Sequence, residues 1–318
     1  MRRMTAAAMA LLMIAGMVSG CGRAPAEEGK LQIVAAIPPE YDWVREILGD
    51  QADRAQVTLL LDSGVDLHSY QPTAEDMVTI GSCDLFLYTG GESDAWAEKV
   101  LSTTANPERR ELRVMELLGD AVKEEETVEG MQEAEDHDHD HGDEAEADEH
   151  VWLSLRNART VCEELGKVLG ELDPEYAEEY RENARVYCEK LETLDGEYRE
   201  MVDSAARGTV LFGDRFPFRY LMDDYGLEYY AAFSGCSAET EASFETIAYL
   251  AGKVDELGLP CILTTESPQP GVAETIRANT GTGDQRILEL DSMQGSTGEE
   301  RYLDVMESNL EVLRQALN

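Results

Sequence analysis

The chain has 318 residues, 43% hydrophobic and 29% charged, enough for one large domain or two medium ones and too apolar for disorder over most of its length. Lysine and arginine number 26 against 66 aspartates and glutamates, a net charge of −40. A nucleic-acid binder needs a basic face to neutralise phosphates, so that class is excluded, whereas such an acidic surface attracts cations and keeps copies apart, as a monomer would.

The N-terminus reads as a targeting segment. Arg2 and Arg3 precede a charge-free apolar run over 6–18, too short to span a bilayer, and Val18-Ser19-Gly20-Cys21 then resembles a bacterial lipobox. Residues 1–21 are therefore expected to be a lipoprotein signal, with Cys21 the lipid-attachment residue and 22–29 a small polar tether. The chain is then anchored to the membrane rather than spanning it. The other cysteines, Cys83, Cys162, Cys188, Cys236 and Cys261, are an odd number and contain no C-x-x-C, so a structural zinc knuckle is unsupported. Cys162 and Cys188, in consecutive helical segments, are the best candidate disulfide pair.

From Leu31 the pattern alternates between strands and helices. The apolar runs at 31–37, 55–61, 84–90 and 112–117 read as buried parallel strands, with helices over 41–48 and after Thr73, whose Asp76 makes a capping-box partner. Residues 124–149 break the pattern. They are acidic almost throughout, contain His137, His139 and His141, and read as a mobile loop that gathers metal weakly. A helix follows over about 157–172. Asp173-Pro174 then caps a long amphipathic run over about 175–206, exceeding the usual globular helix. Strands return at 209–213, 228–233, 261–266 and 286–291, and a helix over 303–317 closes the chain. The predicted fold is α/β: two small domains with mostly parallel sheets, 30–172 and 208–318, bridged by one long helix over 173–207.

Ligand-bearing residues in open parallel sheets collect beyond the carboxyl ends of strands. His68 follows the second strand, Asp214 follows 209–213, Glu266 ends 261–266 and Asp291 ends 286–291. His150 precedes an apolar turn. Two imidazoles and one or two carboxylates make a compact site for a divalent transition metal. An ordinary packed histidine or a helix-capping acid accounts for any one of these residues alone.

Taken together, the lipobox, His68-Ser69-Tyr70-Gln71-Pro72-Thr73, His150-Val151-Trp152-Leu153-Ser154, the acidic His-rich insert before it, Glu239-Thr240-Glu241-Ala242-Ser243, Thr265-Glu266-Ser267 and Leu290-Asp291-Ser292 resemble a known family across the mature chain. That family is the substrate-binding lipoproteins of bacterial zinc and manganese ABC importers. The resemblance implies two α/β domains bridged by a long helix, with the metal between them. It carries the first two ligands onto His68 and His150 and the fourth onto Asp291. The third departs: aligning Phe218-Arg219-Tyr220-Leu221 without a gap puts Arg215 there, and a guanidinium cannot ligate a metal. The neighbouring Asp214 is the expected replacement, with Glu266 either a reserve ligand or a hydrogen-bond partner of a ligand histidine.

The implied function is an extracytoplasmic receptor that captures Zn2+, with Mn2+ the alternative, and delivers it to the membrane permease of an ABC importer. A metal-dependent surface adhesin is the alternative. A zinc hydrolase is disfavoured, since the chain has neither H-E-x-x-H nor G-x-S-x-G, and no enzymatic activity is expected.

Overall fold

The computed structural model describes residues 27, 29–62, 66–103, 106–132, 146–237, 241–266, 271–294 and 296–318. The expected signal segment with Cys21, and His137, His139 and His141, lie outside the described residues.

The first sheet contains β1 (Leu31–Ala35), β2 (Ala55–Leu59), β3 (Leu85–Tyr88) and β4 (Arg110–Arg113), in the order β2-β1-β3-β4. The second contains β5 (Thr209–Phe216), β6 (Glu228–Ser234), β7 (Cys261–Thr264) and β8 (Arg286–Glu289), in the equivalent order β6-β5-β7-β8. Every pairing in both is parallel. Parallel strands are covered on both faces, which is why β3 and β7 read as unbroken apolar runs and are buried throughout. The N-terminal lobe carries α1 (Pro38–Leu48), α2 (Ala74–Ser82), α3 (Ala95–Thr103) and α4 (Val114–Leu118). Next come α5 (Leu155–Leu172) and α6 (Ala177–Ser204), then α7 (Arg219–Tyr225), α8 (Phe244–Leu257), α9 (Gly271–Asn279) and α10 (Tyr302–Leu317) in the C-terminal lobe.

The long bridging helix is α6, of 28 residues, preceded by a short turn at Pro174–Tyr176. Its buried side chains, among them Tyr180, Tyr187, Leu191, Leu194 and Tyr198, recur at helical spacing and touch both lobes. Asn183 donates to the Ile47 carbonyl at the end of α1 (3.0 Å), and the Tyr198 hydroxyl donates to the Met306 carbonyl of α10 (2.6 Å). A single apolar core runs from the first sheet through α5 and α6 to the inner side of the second sheet. A smaller cluster under α8 and α9, including Leu211, Ile247, Leu250, Val254 and Ile262, packs the outer layer of the C-terminal lobe.

Three expectations change. The strand expected over 112–117 ends at Arg113, and Val114 and Leu118, four apart, bury one face of α4 instead. The described flanks of the acidic insert are pinned rather than loose. Glu124 bridges Ala147, Gln132 N donates to the Ala232 carbonyl (2.9 Å), and Met131 is buried. Finally, Cys162 and Cys188 are both free and buried, and the Cys188 thiol donates to the Arg159 carbonyl at 3.6 Å instead of forming a disulfide.

Candidate metal centre

His68 sits on a one-turn helix, Leu67–Ser69, in the segment that follows β2. Asp66 caps that turn, its Oδ1 accepting the His68 backbone N–H at 3.0 Å, and the fully buried Leu67 anchors it to the core. His68 Nδ1 lies 2.7 Å from Ser93 Oγ. Ser93 belongs to the turn Glu92–Asp94 just beyond β3.

His150 is completely buried and immediately precedes the turn Val151–Leu153. One oxygen of Asp148 accepts the His150 backbone N–H (2.8 Å) and lies 3.0 Å from its Nδ1. Both Nδ1 atoms therefore face oxygen partners. With the proton on Nδ1 in each ring, both Nε2 atoms carry lone pairs. Those two Nε2 atoms are 3.3 Å apart. Burial, and then the neighbouring His150, lower the His68 pKa to about 4, so His68 is a neutral donor at neutral pH.

Two lone pairs at that separation repel unless a proton donor or a cation lies between them. Here the Gln294 amide nitrogen fills that place, 2.8 Å from His150 Nε2 and 3.3 Å from His68 Nε2. Gln294 comes from the other lobe, on the turn beyond β8. Glu266 shapes this turn: its carboxylate accepts from Ser292 N (2.8 Å), Ser292 Oγ (2.5 Å) and Gln294 N (3.1 Å). Between them Met293 adopts a left-handed backbone, φ 64°, held by Met293 N donating to Asp291 Oδ1 at 2.7 Å. The indole of Trp152 donates to the Ser292 carbonyl at 2.9 Å, joining the His150 turn to the Gln294 turn across the cleft.

The third neighbour is Cys236, in the turn after β6. Among the described residues, the ligand atoms of His68, His150 and Cys236 lie mutually within 4.8 Å. Gly235 makes this approach possible, because a Cβ there would come 2.8 Å from His150 Cε1 and 2.9 Å from the Phe216 carbonyl. Glu125, on the insert's flank, accepts the Cys236 backbone N–H at 3.2 Å. Burial, followed by nearby Glu125, Glu149 and Asp148, raises the thiol's pKa well above its ordinary value.

Beneath His68 lies Glu149. Its Oε1 accepts the Ser93 backbone N–H at 2.8 Å, and its buried Oε2, 3.8 Å from His68 Nδ1, has no hydrogen-bond partner among the described residues.

The sequence-predicted residues thus divide. His68 and His150 are brought together. Asp214 is not: β5 runs on through a bulge to Phe216, and Asp214 Oδ2 accepts from Thr265 N (3.2 Å) and Thr265 Oγ1 (2.9 Å). Arg215, the residue the gapless alignment puts at the third position, pairs with Asp66 at 2.9 Å. Asp291 is not in the donor cluster either, since its carboxylate caps the Met293 turn. Burial, and then Glu266, raise its pKa to about 6. Among the described residues, Glu266 holds the Ser292–Gln294 backbone and neither His68 nor His150. Sequence reading passed over Cys236 and Gln294, although both follow the carboxyl end of a strand, the rule that singled out His68.

A family model described as zinc-uptake complex component A, periplasmic (ZnuA), matches residues 33–316. The zinc-binding lipoprotein AdcA of Streptococcus pneumoniae is 31% identical over 298 residues, covering 93% of this chain and 57% of that protein, so the chain spans little more than half the length of this relative. The high-affinity zinc uptake system protein ZnuA of Bacillus subtilis is 28% identical over 320 residues, covering 98% and 95%. Among solved structures, the Zn(II)-bound ZnuA-like domain of S. pneumoniae AdcA superposes with a TM-score of 0.70 at 28% identity, over 91% of this chain and 99% of that one. The laminin-binding adhesin of Streptococcus agalactiae superposes at 0.72 with 24% identity, over 91% and 100%, a likeness of fold.

Proposed function

Since the chain belongs to the ZnuA family of zinc-uptake components, we propose that it captures a zinc ion between its two lobes and delivers it to the membrane permease of an ABC importer. It does so as a receptor and not an enzyme, outside the cytoplasm, as a monomer anchored through a lipid on Cys21. His68 and His150 are the imidazole ligands.

The observation that carries this reading is the spacing of the two imidazoles. Two nitrogens bound to one tetrahedral zinc, each about 2.0–2.1 Å from the ion, stand about 3.3 Å apart. The His68 and His150 Nε2 atoms are 3.3 Å apart, with both rings held by their other nitrogens. The ion is cargo, so the site needs no activated water and no general base. The Gln294 amide nitrogen, 2.8 Å from His150 Nε2 and 3.3 Å from His68 Nε2, makes way for the ion. His137, His139 and His141 gather zinc weakly from the medium. Zinc takes precedence over manganese because imidazole nitrogen suits the former better.

Isothermal titration of the chain with zinc, manganese and nickel tests the proposal. One tight zinc site per chain supports it, and absence of tight binding to any of the three removes it. The adhesin reading rests on neighbours whose likeness supports the fold, and an assay of laminin binding with and without zinc separates it.

A further inference from the structure

The receptor reading leaves open what completes the site opposite the two imidazoles. Building on that reading, we propose that Cys236 is the third zinc ligand and that its sulfur makes this a site for soft divalent ions, zinc and cadmium, at the expense of manganese.

The geometry is close to what coordination requires. The Cys236 Sγ and one ring nitrogen each of His68 and His150 lie mutually within 4.8 Å. A sulfur about 2.3 Å and a nitrogen about 2.0 Å from one tetrahedral zinc are separated by about 3.5 Å. A shift of the Cys236 turn toward the rings closes the triangle. The turn is built for the approach, since only a residue without a side chain at 235 lets it pass beneath the His150 ring. The two strand-end aspartates of the C-terminal lobe serve other partners: Asp214 accepts from Thr265 and Asp291 from Met293 N.

Charge agrees with the donor set. Two neutral imidazoles and one thiolate leave a zinc ion with one uncompensated positive charge. Glu149 stands 3.8 Å behind His68, with a buried oxygen that has no hydrogen-bond partner among the described residues. A bound cation sets positive charge across the His68 ring from this carboxylate. As the zinc–sulfur bond forms, the thiol proton leaves to solvent and the sulfur stays bound as thiolate. Thiolate is a soft ligand that favours zinc, whereas manganese prefers oxygen. Replacing a carboxylate by sulfur in a site with two imidazoles therefore shifts selection away from manganese.

The test uses the full chain loaded with cobalt(II), which reports sulfur ligation as an intense thiolate-to-metal charge-transfer absorption in the near ultraviolet. The wild-type protein should show that band, and Cys236→Ala and Cys236→His should both lack it. Zinc affinity should fall at least about a hundredfold in Cys236→Ala and recover in Cys236→His, which rules out misfolding as the cause of the loss. Cys236→Asp should gain affinity for manganese relative to zinc. Tight zinc binding with no thiolate band, or unchanged zinc affinity in Cys236→Ala, overturns the assignment and leaves the receptor reading standing. A wild-type chain that binds no zinc overturns both.

Discussion

On the N-terminal side of the cleft each imidazole is fixed at both ends. His68 is held by Asp66 through its backbone and by Ser93 through Nδ1, and His150 receives both contacts from a single Asp148 oxygen. On the C-terminal side the groups facing the imidazoles, Cys236 and Gln294, are carried on turns, and the carboxylates there build the turns. The sheets are equivalent in strand order, so the difference is not one of topology. It lies in the segments just beyond the strands. The N-terminal lobe sets out preformed donors at fixed spacing. The C-terminal lobe uses charge to shape a loop, and its uncharged Gln294 meets the donors. In a receptor that must also let go, the side that recognises can be rigid while the side that closes is made of short turns.

The largest effects expected test that division directly. His68→Ala or His150→Ala removes a nitrogen that nothing nearby replaces, and zinc affinity in a chelator-competition titration should fall at least about a thousandfold, about 4 kcal/mol. Asp214→Asn and Asp291→Asn should each cost less than about tenfold, because their carboxylates serve Thr265 and Met293 N. A thousandfold loss in Asp291→Asn would break the comparison and make that acid a ligand after all. Next come the groups behind the donors. Asp148→Asn disturbs the proton on His150 Nδ1, and Glu266→Ala releases the Ser292–Gln294 turn. Each should lower affinity by about 10–100-fold, the range for residues that orient ligands. Equal, negligible effects in both variants would show that neither lobe depends on its supporting acids.

The same division explains what was legible in the sequence. Both parallel sheets could be read from apolar runs, because strands covered on two faces have no alternation to hide them, and α6 from its length and spacing. His68 and His150 stood out because histidine is rare here, five in 318 residues. Asp214 and Asp291 sit where strand-end ligands belong. Yet nothing in a one-dimensional pattern tells a carboxylate that binds an ion from one that caps a turn, since both chemistries favour the same residue at the same place. Cys236 and Gln294 were hidden for the opposite reason. Gln is an ordinary turn residue, and an unpaired cysteine outside C-x-x-C carries no spacing. The bulge that keeps Asp214 inside β5 left no trace in composition either.

A smaller effect sharpens the boundary of the site. Removing 133–145, which takes away His137, His139 and His141 but spares the pinned flanks, should change tight zinc affinity by no more than about twofold, as expected for independent positions. Removing all of 124–149 is a different experiment. It deletes Glu125, which holds the Cys236 turn, and Asp148, which holds His150, and tight binding should be lost with them. If the shorter deletion also abolished tight binding, the histidines of the insert would belong to the site itself.

The smallest expected effect on affinity concerns the floor of the N-terminal lobe. Glu40 is buried at the start of α1, where it accepts the backbone N–H groups of Ala36 (3.0 Å) and Ile37 (3.3 Å). Burial, and then Asp94, raise its pKa from the ordinary 4.5 to about 8. Between those two values the folded chain holds a proton that the unfolded chain has lost, so stability contributed by this group falls as pH rises from about 4.5 to about 8. Glu40→Gln keeps a neutral acceptor and cannot ionise. The metal-free variant should therefore melt a few degrees above the parent at pH 8 and alike at pH 4.5. Zinc affinity at neutral pH should stay within about twofold, because the imidazoles are held by Asp66, Ser93 and Asp148 and not by Glu40. A Glu40→Gln chain that bound zinc much more weakly would mean that the rigid side of the cleft depends on this buried proton, and that the two lobes are less different than their site geometry implies.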